Sequence, residues 1–99
     1  MDSEKKSLSQ DLAQAFNQLH NEQELFRFLR DLLTRQELIE PTKRWEAAQM
    51  LAAKTPYTTI SQEIGISSAT IAQVSHWYKK GLGGYKLAIK RLWSSQKFG

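Results

Sequence analysis

Apolar residues recur along this chain at intervals of three and four, and no stretch alternates apolar with polar positions. That period predicts helices and no strand. The sharpest pattern lies between Thr58 and Tyr78. Ile60 and Ile64 lie four apart on one helical face, and Ile71, Val74 and Tyr78 follow at i, i+3 and i+7 on a second. Ile66 lies between them, placed to plug the gap where two helices cross, and Ser61 is small enough to let them cross closely. Gly65 suits the left-handed backbone that follows a helix end. Thr59 and Gln62 form a capping-box candidate for the first helix. Ser67 can cap the second through the N–H of Ala69 or Thr70. Together these features predict a helix-turn-helix, whose second helix enters the DNA major groove. A purely structural helical hairpin is the plain alternative.

The remaining segments follow the same period. After a charged start at residues 1–6, Leu8, Leu12, Ala15, Phe16 and Leu19 have helical spacing behind Ser7 as a cap, and His20 and Asn21 mark the end. A second helix, Glu22 to Leu33, carries Leu25, Phe26, Phe28, Leu29, Leu32 and Leu33 on more than one face. Such a helix must be covered on two sides, which predicts a subunit interface; a fully buried internal helix is the alternative. Thr34 caps a short helix to Glu40, with Glu37 as its capping-box partner. Pro41 suits the first turn of the next. That helix, Pro41 to Ala53, turns Trp45, Ala48, Leu51 and Ala52 inward and Lys43, Glu46 and Gln49 outward. Pro56 stops it and keeps Thr55 extended. Gly81, Gly83 and Gly84 precede a last helix, Tyr85 to Ser94, with Tyr85, Ala88, Ile89, Leu92 and Trp93 on one stripe and a frayed end from Ser95 to Gly99. The expected product is one all-α domain over residues 1–99. It has dimerisation helices in 7–40, the helix-turn-helix in 57–79 and a C-terminal helix in 84–95.

Size and charge sharpen this picture. A chain of 99 residues buries only about 60–68% of its unfolded surface, and oligomerisation is a common remedy. The absence of cysteine excludes disulfides, thiolate metal sites and thiol nucleophiles, and suits a reducing cytoplasm. The polar start is not a secretion signal. No apolar run approaches the roughly 20 residues of a membrane span. The net charge is +4, and Glu63 is the last acidic residue; Lys79, Lys80, Lys86, Lys90, Arg91 and Lys97 follow it. A basic second half beside a helix-turn-helix suits phosphate contact. His20 and His76 lack partners at metal-ligand spacing, so no metal is expected. Trp45, Trp77 and Trp93 fit core or interface anchors. No nucleophile–base pair and no phosphate-cradling glycine loop suggests an enzyme or a bound cofactor.

Three stretches, LLTRQELIEPTKRWEAAQML, YTTISQEIGISSATIAQVSHW and GGYKLAIKRL, follow one another between Leu32 and Leu92. In that order they resemble the tryptophan-repressor family, and more closely its trp-repressor-related branch of the YerC/YecD type. The N-terminal third matches in helical character alone. The resemblance implies a TrpR-like multi-helix domain, an intertwined homodimer with interlocked N-terminal helices, and repression of transcription at a palindromic operator. It also implies a ligand grip of two arginines. Arg44 matches the first, but Gln73 stands at the second. A tryptophan carboxylate would lose a charge-assisted partner of a type worth about 1.5–3 kcal/mol. The expected effector is therefore a different small corepressor, or none, and Arg44 as an ordinary ion-paired arginine is the alternative.

On the recognition helix, Ser68, Ala69, Thr70, Ala72, Gln73 and His76 turn away from Ile71 and Val74. Ser68, Thr70 and Gln73 can hydrogen-bond base edges or phosphates, and Ala69 and Ala72 can touch a thymine methyl. With no arginine on this helix the guanine fork is missing, and readout leans on water and DNA shape. Thr58, Thr59, Ser61 and Gln62, with Ser67 at the cap, fit phosphate contacts that set register. Lys79 and Lys80 fit them by charge. The expected partners are double-stranded DNA and a second copy of the chain. The rival is a helical protein-interaction module, in which the hairpin is a docking surface and the basic tail is incidental.

Overall fold

The structure, a computed structural model, describes residues 10–98, with side chains to Ser95. Among the described residues it holds six helices and no strand: α1 Leu12–Asn17, α2 Glu22–Leu32, α3 Arg35–Ala52, α4 Tyr57–Ile64, α5 Ser68–Lys80 and α6 Gly84–Phe98. The chain divides into two compact units, one up to Leu38 and one from Ile39. The charged start, the Ser7 cap and Leu8 lie outside the described residues.

In the N-terminal unit, α1 stops at Asn17 and leaves Leu19 beyond its end. Asn21 does not close that helix; it opens α2. Its extended backbone (φ −155°) lets its side chain accept from the Glu24 N–H at 2.9 Å, and the Glu24 carboxylate accepts from the His20 N–H at 2.8 Å. α1 meets one side of α2 through an edge-on contact of Phe16 with Phe28, with centroids 5.6 Å apart. No residue of α2 is buried: Leu25, Phe28 and Leu29 are half-buried, while Phe26 and Leu32 are exposed. The alternative of a fully buried internal helix is thereby overturned. Thr34 and Glu37 form the expected capping box, each side chain accepting from the other's N–H, at 2.9 and 3.1 Å.

That cap opens one helix rather than two. α3 runs through Pro41 without a break, against the expected boundary there. Proline removes a single hydrogen-bond donor and crowds the preceding turn. Glu, Leu, Gln, Lys, Arg and Ala on either side favour helix strongly enough to carry it through.

In the C-terminal unit, Ala47 and Ala48 of α3, Ile60 of α4, Ile71 and Val74 of α5 and Ile89 of α6 are buried together. Ile64, Ile66, Tyr78 and Tyr85 pack around them. The aliphatic seam read from the sequence is thus the core. The inward face of α3 is narrower than expected: two successive alanines fill it, while Trp45, Leu51 and Ala52 are half-buried. Lys43 and Gln49, expected outward, are half-buried too. On α6, Ile89 is buried and Tyr85 and Leu92 are half-buried, but Ala88 and Trp93 are exposed. The helix continues to Phe98 instead of fraying from Ser95, because no proline or glycine interrupts it before Gly99.

Candidate nucleic-acid interface

The entry into the α4–turn–α5 pair is set by the chain just before it. α3 ends with the Lys54 N–H bonded to the Leu51 carbonyl at 3.0 Å and the Thr55 N–H to the Met50 carbonyl at 2.9 Å. This paired closure requires a left-handed residue, and Lys54 supplies it at φ 67°. Pro56, at φ −63° and ψ 149°, then launches α4 at Tyr57 with no side-chain cap. The Thr59–Gln62 capping box is therefore not formed. The helix begins two residues before Thr59, whose backbone is already helical.

The turn itself is held as the sequence suggests. Gly65 adopts φ 78° and donates its N–H to the Ser61 carbonyl at 2.9 Å. The Ser61 hydroxyl donates to the Ile66 carbonyl at 2.7 Å, tying α4 to the residue that follows Gly65. Ser67 accepts from the Thr70 N–H at 3.1 Å, and the two hydroxyls lie 3.0 Å apart.

These bonds sort the candidate residues into a frame and an edge. Ser61, Ser67 and Thr70 commit polar atoms to the motif itself. Ser68, Ala69, Ala72, Gln73, His76, Lys79 and Lys80 are exposed along α5, opposite buried Ile71, Val74 and Ser75. On α4, Thr58 and Gln62 are exposed and Thr59 is half-buried. An open groove of about 270 Å³ brings Thr58, Ser61, Gln62 and Ser68 together beside Tyr57. Lys79 and Lys80 lie in the last turn of α5, where cations are favoured by the helix dipole. The Lys86 ammonium sits 5.6 Å from the Tyr78 ring centroid, within cation–π range. His76 meets the neighbouring Trp77 ring edge-on at 5.1 Å. Among the described residues no His, Asp and Glu side chains gather into a metal-binding group.

The two positions read as a ligand grip also meet. The Arg44 Nη2 donates to Gln73 Oε1 at 3.4 Å, and its Nε donates to Glu40 Oε2 at 3.1 Å. Sequence reasoning missed Glu40 here, although its i, i+4 spacing from Arg44 was the available signal. It also missed Tyr57, an exposed aromatic at the first position of α4, and Lys54, a lysine where a helix-ending glycine belongs.

Comparison with known proteins decides the family. The profile of the Trp repressor protein family matches residues 7–93. This chain belongs to the Trp repressor family. It is 34% identical to the uncharacterized protein YerC of Bacillus subtilis strain 168 over 90 residues, 88% of this chain and 86% of YerC. It is also similar to a candidate Trp repressor from Staphylococcus aureus, whose crystal structure gives a TM-score of 0.82 at 32% identity and covers 93% of this chain and 94% of that one. A TrpR-like protein from Eubacterium eligens ATCC 27750 gives 0.84 at 30% identity, covering 93% and 95%. The all-α, TrpR-like fold and the YerC-type resemblance are both borne out. In this Trp repressor family member, the second helix of the motif keeps an uncovered polar edge with no carboxylate on it.

Proposed function

We propose that this Trp repressor family member is a sequence-specific DNA-binding transcriptional regulator, a repressor acting in the cytoplasm and not an enzyme. It binds a palindromic operator as a homodimer through its helix-turn-helix. The exposed edge of α5 carries this reading: Ser68, Ala69, Ala72, Gln73 and His76 are exposed while Ile71 and Val74 anchor the opposite face. That edge offers hydrogen-bonding and methyl groups to a major groove, and Lys79 and Lys80 at its end add charge for the backbone.

Exposed apolar side chains support the homodimer. Leu12, Phe16, Phe26 and Leu32 are exposed in the N-terminal unit, and Trp77 and Leu82 in the C-terminal unit. Several large exposed apolar groups on a small domain mark an interaction surface. In the dimer, two copies of α5 sit roughly 34 Å apart, in successive major grooves.

Mobility shift of a random-sequence duplex at low salt tests the first step, and selection of bound duplexes from a random pool tests specificity. The regulator binds measurably and enriches a palindrome. A chain that ignores duplex DNA at low salt is the interaction module instead.

A further inference from the structure

The residue that closes α3 is held in a costly conformation. Lys54 takes φ 67°, a region where an L side chain crowds its own backbone and where glycine sits at ease. Lysine here places a charge next to a built recess. A cavity of about 300 Å³ lies between the end of α3, the start of α4 and the last turns of α5, and Lys54, Thr55, Tyr57, Tyr78 and Lys79 line it above Leu51. Two lysines and four hydroxyl-bearing residues, Thr55, Tyr57, Ser75 and Tyr78, therefore line one recess, and no carboxylate lines it. Among the described residues, neither lysine takes part in an ion pair; the pair present is Arg44 with Glu40. Tyr57 lines both this recess and the groove that holds Ser68, so the recess adjoins the free edge of the motif.

We propose that this recess seats one phosphate of the DNA backbone, and that Lys54 is a DNA-binding residue facing Lys79 across it. A phosphodiester brings one negative charge and two acceptor oxygens, which suit two point charges with hydroxyl donors beside them. The apolar floor suits the adjoining sugar. Retention of a left-handed lysine is then a positional cost met by a contact that glycine could not make.

Because the role of the recess depends on the DNA-binding function proposed above, wild-type affinity for duplex is measured first, as a function of salt. Failure of wild type to bind removes that function. With binding established, the full chain carrying Lys54→Gly is compared with wild type. Its melting temperature rises, which shows an intact fold, while duplex affinity falls severalfold for specific and random sequences alike. Lys54→Met, which keeps the crowded backbone, loses affinity without the stability gain. The double variant Lys54→Met/Lys79→Met lowers the slope of log affinity against log salt by about one, the counterions released by a single phosphate. Unchanged affinity in both Lys54 variants overturns the proposal, and a slope change near two overturns the shared seat.

Discussion

The guanidinium of Arg44 on α3 reaches Gln73 on α5 at 3.4 Å while holding the Glu40 carboxylate at 3.1 Å. The position expected to grip a ligand carboxylate already has one, from the same helix. The Arg44 and Glu40 side chains remain 36% and 55% exposed, and an i, i+4 pair of that kind contributes only about 0.3–0.5 kcal/mol. The bridge is weak enough to leave Arg44 available, but Gln73 brings no second charge. Tryptophan added at millimolar concentration should leave wild-type duplex affinity unchanged in a mobility shift. Gln73→Arg should make tryptophan binding detectable by calorimetry. A tenfold gain in wild-type affinity with tryptophan would show that one arginine suffices.

Two glycines of the C-terminal unit should fail for different reasons. At Gly65 an added Cβ meets nothing within 4 Å, but φ is 78°. Gly65→Ala should therefore cost about 1–2 kcal/mol in urea unfolding, from backbone crowding alone. At Gly81 the backbone is ordinary, but a Cβ would collide with the Trp77 carbonyl oxygen. That oxygen also accepts the Gly81 N–H that closes α5. Gly81→Ala should fray the turn holding Lys79 and Lys80, so it should lower duplex affinity as well as stability. Equal behaviour of the two variants in both measurements would contradict this distinction.

Neighbouring serines separate the frame from the edge. Ser67 caps α5 through the Thr70 N–H, so Ser67→Ala should cost about 1 kcal/mol of stability. The Ser68 side chain is exposed and takes part in none of the hydrogen bonds that hold the turn, which join Ser61 to Ile66 and Ser67 to Thr70. Ser68→Ala should leave the unfolding midpoint in place and change affinity for the selected operator more than for random duplex. Loss of stability in Ser68→Ala, or none in Ser67→Ala, would show the roles exchanged.

The parts of this fold that depend on near neighbours were legible in the sequence. Ile60, Ile71 and Val74 follow the helical period, so their shared burial, with Ile64 packed against them, could be read directly. Gly65, Ser67 and the Thr34–Glu37 box act across one turn and were legible for the same reason. The Thr59–Gln62 box had the right spacing but the wrong frame, because Pro56 starts the helix earlier. Ala47 carries too little apolar surface to declare a burial that depends on how closely α4 and α5 approach α3. Lys54 was missed because a left-handed lysine has no local signature; the backbone bonds from Thr55 and Lys54 to α3 impose it. Gln73 meets Arg44 across 29 positions of sequence, a pairing that only the packed unit brings about.

The N-terminal unit yields the test of assembly. Phe26 is 59% exposed and Leu32 is 46% exposed on a helix none of whose residues is buried. Covering a large apolar side chain is worth roughly 1.5–3 kcal/mol, so a second copy that buries both would gain several kcal/mol at each symmetric contact. Light scattering at micromolar concentration should give twice the 11.4 kDa chain mass. Phe26→Glu with Leu32→Glu should shift the protein to monomer, since each glutamate would have to desolvate on association. Circular dichroism should show reduced but persistent helix, because the core of Ile60, Ile71, Val74 and Ile89 lies wholly in the other unit. Operator affinity should collapse in the same variant, as one recognition helix cannot span two half-sites. A wild-type monomer, or a doubly substituted protein that stays dimeric, would move the interface away from α2.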